Sequence, residues 1–127
     1  MVSQQSVAQW LKDYVSAWKS YDPQAITALF SADAVYRYNP YDDGIRGRDQ
    51  IVADWIENRD QPNTYSAEYA PVAVYGNTAV TQGRSLYYEA DGKTIKRQYD
   101  NIFVLKFNNE GRCTDFCEWW MVPRGQG

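Results

Sequence analysis

Apolar side chains recur at helical spacing near the start of the chain. Val7, Trp10, Leu11, Tyr14 and Trp18 follow the i, i+3, i+4, i+7 rule of an amphipathic helix, with Ser3 or Ser6 available as its cap. Asp22-Pro23 restarts the chain as N-cap and first helical residue, and Ile26, Leu29 and Phe30 give this shorter helix a buried edge. Ala34 to Asn39 alternates as a strand does and is stopped by Pro40. After the polar turn Tyr41-Asp42-Asp43-Gly44 and a brief return at Ile45 and Arg46, residues 48–58 predict a third helix with Ile51, Val52, Trp55 and Ile56 on one face.

Beyond the linker at Gln61-Pro62-Asn63 the period changes to two. Tyr65 to Tyr75 predicts a strand, Pro71 marking a bulge or an edge, and Gly76-Asn77 turns it into Ala79 to Ala90. Asp91-Gly92 is a strong hairpin signal leading into Gln98 to Phe107; the loop Asn108 to Gly111 then opens the last strand, Arg112 to Met121. Setting Phe107 opposite Arg112 places Phe103 opposite Phe116, Asn101 opposite Glu118 and Tyr99 opposite Trp120, all on one face. A two-residue turn at Asp91-Gly92 sets Arg84 opposite Tyr99 and Gln82 opposite Asn101. The sum is an α+β domain: three N-terminal helices packed on one face of a curved, mostly antiparallel sheet. That face carries Gln82, Arg84, Asn101 and Glu118, which would be costly to bury dry, so a cavity is expected between helices and sheet.

Composition narrows the function classes. The 127 residues are read as one domain, with 44% apolar and 23% charged residues arguing against disorder. A net charge of −3 without a basic cluster argues against nucleic acid and anionic membranes as partners. The start of the chain has neither a basic nor an apolar signal region, so a cytoplasmic location is the expectation. The chain has no histidine, which removes the commonest general base and metal ligand. Cys113 and Cys117 sit roughly 13 Å apart along an extended strand, too far for a disulfide and too few for zinc. Neither metal nor cofactor is expected. The 11 Tyr, 5 Trp and 4 Phe point to amphipathic cavity walls as well as a core.

The order of these motifs resembles the NTF2-like superfamily, a cystatin-like cone, and its SnoaL-like branch. The resemblance rests on Asp22-Pro23, on Ala28-Leu29-Phe30-Ser31-Ala32-Asp33-Ala34, on Gly47-Arg48-Asp49-Gln50-Ile51 opening a helix, and on a meander closed by Phe107 and Gly111-Arg112. It implies a conical pocket and frequent dimerisation through the outer sheet face. The superfamily hosts ketosteroid isomerase, limonene epoxide hydrolase, scytalone dehydratase, polyketide cyclases and noncatalytic binding modules, so fold alone does not decide function. Against ketosteroid isomerase, Tyr14 falls at the oxyanion-hole tyrosine and Trp55 at a supporting tyrosine. The base position falls on Tyr38, or on Asn39 if the strand slips by one, and the protonated aspartate on Phe103. That activity is therefore not expected, and the Asp-Arg-Asp set of the epoxide hydrolase finds no match either.

Glu118 is the leading candidate for chemistry: a carboxyl tuned by Phe116, Trp120 and Arg84 would act as base or acid, the alternative being a buried ion pair with Arg84 that fixes register. Arg84 offers a donor fork to a ligand oxygen, or pairs with Glu118 alone. Asn101 and Tyr99 orient a ligand carbonyl or satisfy Glu118. Tyr14, Tyr36, Tyr38 and Tyr69 present phenols to a developing oxyanion or serve as core rings. Trp18, Phe30, Trp55 and Phe103 read as apolar wall or core, and Asp42-Asp43 as a solvated turn. On the other face, Tyr87, Ile102, Val104, Cys117 and Trp119 form an apolar patch suited to a homodimer. Three readings follow: a small-molecule pocket with cofactor-free acid–base catalysis by Glu118, assisted by Arg84 and Tyr14; a noncatalytic carrier or sensor; or a dimerisation module.

Overall fold

The computed structural model describes residues 1–126. Helix α1 (Gln4–Ser20) starts at a reciprocal cap: the Ser3 hydroxyl accepts from the Ser6 N–H at 3.0 Å and the Ser6 hydroxyl accepts from the Ser3 N–H at 2.9 Å. It ends at Tyr21, which takes the left-handed conformation at φ 51°. Asp22 caps α2 (Pro23–Leu29), accepting from the Gln24 N–H at 3.0 Å. Strand β1 (Phe30–Arg37) follows without a loop, so Phe30 belongs to the strand rather than to the helix edge. The remaining elements are β2 (Ile45–Arg46), α3 (Arg48–Glu57), β3 (Tyr65–Tyr75), β4 (Thr78–Tyr88), β5 (Ile95–Phe107) and β6 (Cys113–Met121).

The six strands form one curved mixed sheet in the order β2-β1-β6-β5-β4-β3, parallel between β1 and β6 and antiparallel elsewhere. α1 packs on β3 and α3 on β1. Two helices precede the sheet and the third lies between β2 and β3. The core is largely aromatic. Tyr36 stacks on Phe116 at 4.1 Å between centroids, Tyr14 on the same ring at 5.5 Å, and Trp10 donates its indole N–H to the Leu29 carbonyl at 3.0 Å.

Strand register is where the chain departs from the alternation pattern. On the β5–β6 hairpin Phe107 faces Cys113, one residue from the expected Arg112, while Phe103 faces Glu118 and Asn101 faces Trp120, a slide of two residues from the expected pairs. Two local events add up to it. The Asn108 side chain accepts from the N–H groups of Glu110 and Arg112, both at 3.0 Å, which closes the loop one residue late. Thr114 is then an extra residue, since Lys106 pairs with Asp115 while Phe107 pairs with Cys113. From Asp115 onward the slide of two leaves each side chain on its expected face, whereas Cys113, before the extra residue, turns into the core beside Phe107.

The β4–β5 hairpin slips by only one, which changes faces. Near the turn the expected pairing holds, Tyr88 opposite Ile95; the next pair is Tyr87 with Arg97, so Lys96 is an extra residue. Arg84 therefore faces Asp100 rather than Tyr99, and Gln82 faces Ile102 rather than Asn101. Both turn to the convex face, where the Arg84 Nε–H and the Gln82 amide reach the Asp100 carboxylate at 3.2 and 3.1 Å. The same event carries Tyr87 off the outer patch and onto the concave face. Pro71 sits at an irregularity of β3, which is an edge of the sheet.

Candidate functional site

Between the helices and the concave face of the sheet lies a cavity of about 460 Å³. Its buried part is polar. Glu118 from β6 accepts at Oε2 from the Asn101 amide at 2.6 Å, and Asn101 Oδ1 accepts from the Ser85 hydroxyl at 2.6 Å. Asn101 and Ser85 are buried side chains, 2% and 3% exposed. Beside them the Tyr14 and Tyr36 hydroxyls share a hydrogen bond of 2.7 Å, and Tyr69 completes this end of the wall.

The outer part is a frame of rings. Trp120 and Tyr99 meet edge to face at 5.5 Å, Tyr99 and Tyr87 at 5.8 Å, and the Arg97 guanidinium lies over the Tyr87 ring at 5.6 Å. On the opposite side the Asp60 carboxylate accepts from the Trp18 indole at 3.0 Å and from the Tyr21 hydroxyl at 3.3 Å. Tyr38 lines the cavity but turns its hydroxyl to Asp54 on α3, donating to Oδ2 at 2.7 Å.

Among the sequence candidates, Tyr14, Trp18, Tyr36, Tyr38, Trp55, Tyr69, Tyr99, Asn101, Glu118 and Trp120 line the cavity. Phe30, Phe103 and Phe116 lie one layer back in the core, Phe103 against Tyr69 at 4.7 Å and Phe116 against Tyr36. Arg84 and Gln82 face away on the convex side, so the pairing of Arg84 with Glu118 is corrected: Glu118 is held by a neutral amide and Arg84 by Asp100. Tyr21, Asn58, Asp60, Ser85, Tyr87 and Arg97 line the cavity without having been singled out for it. Ser85 and Tyr87 follow from the one-residue slip. Tyr21 and Asp60 lie in connecting segments where no periodicity points inward.

Burial decides the electrostatics. It pushes the Glu118 carboxyl up to about 7, the Asn101 N–H partly offsetting the rise. Burial also raises the phenols of Tyr14, Tyr36 and Tyr69. Near neutral pH the buried end thus holds one carboxyl that titrates and three neutral phenols. Among the described residues no three Cys, Asp or Glu side chains converge as a metal ion would need, and no helix is long and apolar enough to cross a membrane.

The model of the SnoaL-like domain matches residues 11–116, from α1 to β6. The chain belongs to the SnoaL-like family. This SnoaL-like domain also superposes on solved structures. An NTF-2 like protein of unknown function from Burkholderia xenovorans LB400 matches with a TM-score of 0.69 at 17% identity, over 94% of this chain and 85% of that one. An LEH-like epoxide hydrolase from M. tuberculosis gives 0.68 at 15% identity, over 93% and 84%. A candidate ketosteroid isomerase from Kribbella flavida DSM 17836 gives 0.69 at 13% identity, over 94% and 81%. At these identities the likeness is one of fold. Comparison with curated protein sequences found no match.

Proposed function

We propose that the cavity binds a small aromatic or otherwise hydrophobic molecule and that Glu118 exchanges a proton with it. The observation that carries this reading is a carboxyl on the wall of a ring-lined cavity, held by a neutral amide and pushed up to about 7. A group poised there takes a proton from carbon or water and gives it back at the same pH. Because the phenols around it stay neutral, reactions in which one group removes and returns the proton suit the site best. Isomerisation through an enolate stabilised by the Tyr14 and Tyr36 hydroxyls is the simplest; dehydration, cyclisation and hydrolysis belong to the same class. Such exchange runs on side chains alone and needs no cofactor. The isomerase and epoxide hydrolase named for two structural neighbours fall within this class.

The test uses 5-nitrobenzisoxazole, which opens to a coloured nitrile phenolate when a base removes its ring C–H proton and the N–O bond breaks. The expected result is turnover above that of free acetate, rising with pH through about 7, and lowered about 100-fold or more in Glu118→Gln. Wild-type turnover no faster than acetate would sink the catalytic reading.

A carrier reading draws on the Tyr14–Tyr36 hydrogen bond, which gives each of these two buried hydroxyls a partner without a ligand. It predicts that 2-naphthol binds, that Glu118→Gln changes only its affinity, and that no proton transfer is accelerated. A partner of the same chain is also proposed. Ile102, Val104, Cys117 and Trp119 share the convex face, with Ile102 40% and Trp119 44% exposed, and a homodimer would cover them. Light scattering that gives a monomer mass at micromolar concentration would rule this out.

A further inference from the structure

Ser85, Asn101 and Glu118 occupy a diagonal row across β4, β5 and β6, all on the concave face. Asn101 pairs with Gly83 and Trp120, so Ser85 and Glu118 are its diagonal neighbours on either side. The two contacts, both 2.6 Å, give the row a direction. The Ser85 hydroxyl donates to Asn101 Oδ1, which leaves the amide N–H of Asn101 aimed at Glu118 Oε2. Turned the other way, the Asn101 carbonyl oxygen would meet a carboxylate oxygen, an arrangement tolerated only when Glu118 is protonated. The Glu118 carboxylate, which only accepts, is thus the group that disfavours the turned amide, and the Ser85 hydroxyl, free to donate or accept, fastens the carboxamide in that direction by donating to Oδ1.

We propose that Ser85 is a positioning residue: its hydroxyl, donating to Oδ1, holds the Asn101 carboxamide with its N–H on Oε2 of Glu118, which leaves Oε1 of Glu118 as the oxygen that takes up and releases the proton. This rests on the reading of Glu118 as a proton-exchanging group. The titratable groups that sense Glu118 are Tyr14 from α1, Tyr36 and Tyr38 from β1, Tyr69 from β3, Tyr87 from β4 and Cys117 beside it on β6. Each is raised above its ordinary value with burial as the leading cause, so all stay neutral while Glu118 titrates. No cation is among these groups, and Asn101 is the group whose hydrogen bond opposes the effect of burial.

The experiment needs neither ligand nor turnover. The Glu118 side-chain carboxyl is followed by carbon-13 NMR against pH, assigned by its loss in Glu118→Gln, together with the side-chain amide of Asn101. In the native protein the amide protons of Asn101 are expected to shift with the midpoint of Glu118. Asn101→Leu is expected to raise that midpoint by about one unit, the worth of a hydrogen bond to a charged group. Ser85→Ala is expected to raise it by less, and Ser85→Thr, which keeps the hydroxyl, to restore it. A midpoint unmoved in Ser85→Ala, or Asn101 amide protons that ignore the titration, would overturn the proposal; the alanine and threonine variants decide even if Asn101→Leu fails to fold. A shift in the NMR midpoint without benzisoxazole turnover would support this inference while removing the catalytic reading.

Discussion

Two carboxylates on neighbouring strands meet the same kind of partner and end in opposite states. Glu118 on the concave face and Asp100 on the convex face each accept from a side-chain amide, Asn101 and Gln82. Asp100 faces water with Arg84 beside it, and its carboxyl lies below the ordinary range, the Gln82 hydrogen bond contributing most. Glu118 is shielded by rings, and burial outweighs its hydrogen bond. An amide donor does not by itself decide whether an acid is charged; access to solvent and to a countercharge does.

Four measurements press on that contrast. Phe116→Ala should have the largest effect, since this fully buried ring stacks against both Tyr36 and Tyr14. A loss of roughly 3–5 kcal/mol in urea unfolding is expected, and a loss under about 1 kcal/mol would mean the concave wall is not rigidly packed. Glu118→Gln tests burial itself. The folded-state value near 7 lies above the ordinary 4.5, so the folded state binds the extra proton between them. Stability from this group is full below about 4.5 and lost as pH rises through 7. The glutamine variant should therefore be more stable than wild type at pH 8 by roughly 2–3 kcal/mol and no more stable at pH 4; equal curves at both would contradict the burial argument.

Trp119→Glu places a charge in the convex apolar patch and should convert a dimer to monomer in sedimentation, with the monomer's fold kept. Arg84→Ala should matter least. Its side chain is 73% exposed, so a change below about 0.5 kcal/mol, fading with added salt, is expected. A cost comparable to that of Phe116→Ala would mean the convex pair is not solvated at all.

The alternation of apolar residues carried the helices, the hairpins and the orientation of β6. Glu118 falls on the concave face because the two irregularities around the last turn, at Asn108 and Thr114, cancel in parity. The single irregularity at Lys96 has nothing to cancel it, and it moved Arg84, Gln82 and Tyr87 to the faces opposite those expected. Nothing in the run Thr94-Ile95-Lys96-Arg97 marks the extra residue: all four are exposed or near the turn, so no burial pattern fixes where the strand skips. The rim was invisible for a different reason. Tyr21 and Asp60 are brought together by tertiary contact between the end of α1 and the segment after α3, a pairing that no local period encodes.

Tyr21 illustrates what that rim asks of the chain. A tyrosine in the left-handed region resists its own backbone, and glycine in that place would relieve a strain of about 1 kcal/mol. Yet its hydroxyl accepts from the Asp60 N–H at 2.9 Å and donates to the carboxylate that also binds Trp18. An engineer seeking a hardier protein would be drawn to that position first, and by replacing it would unfasten one side of the cavity entrance.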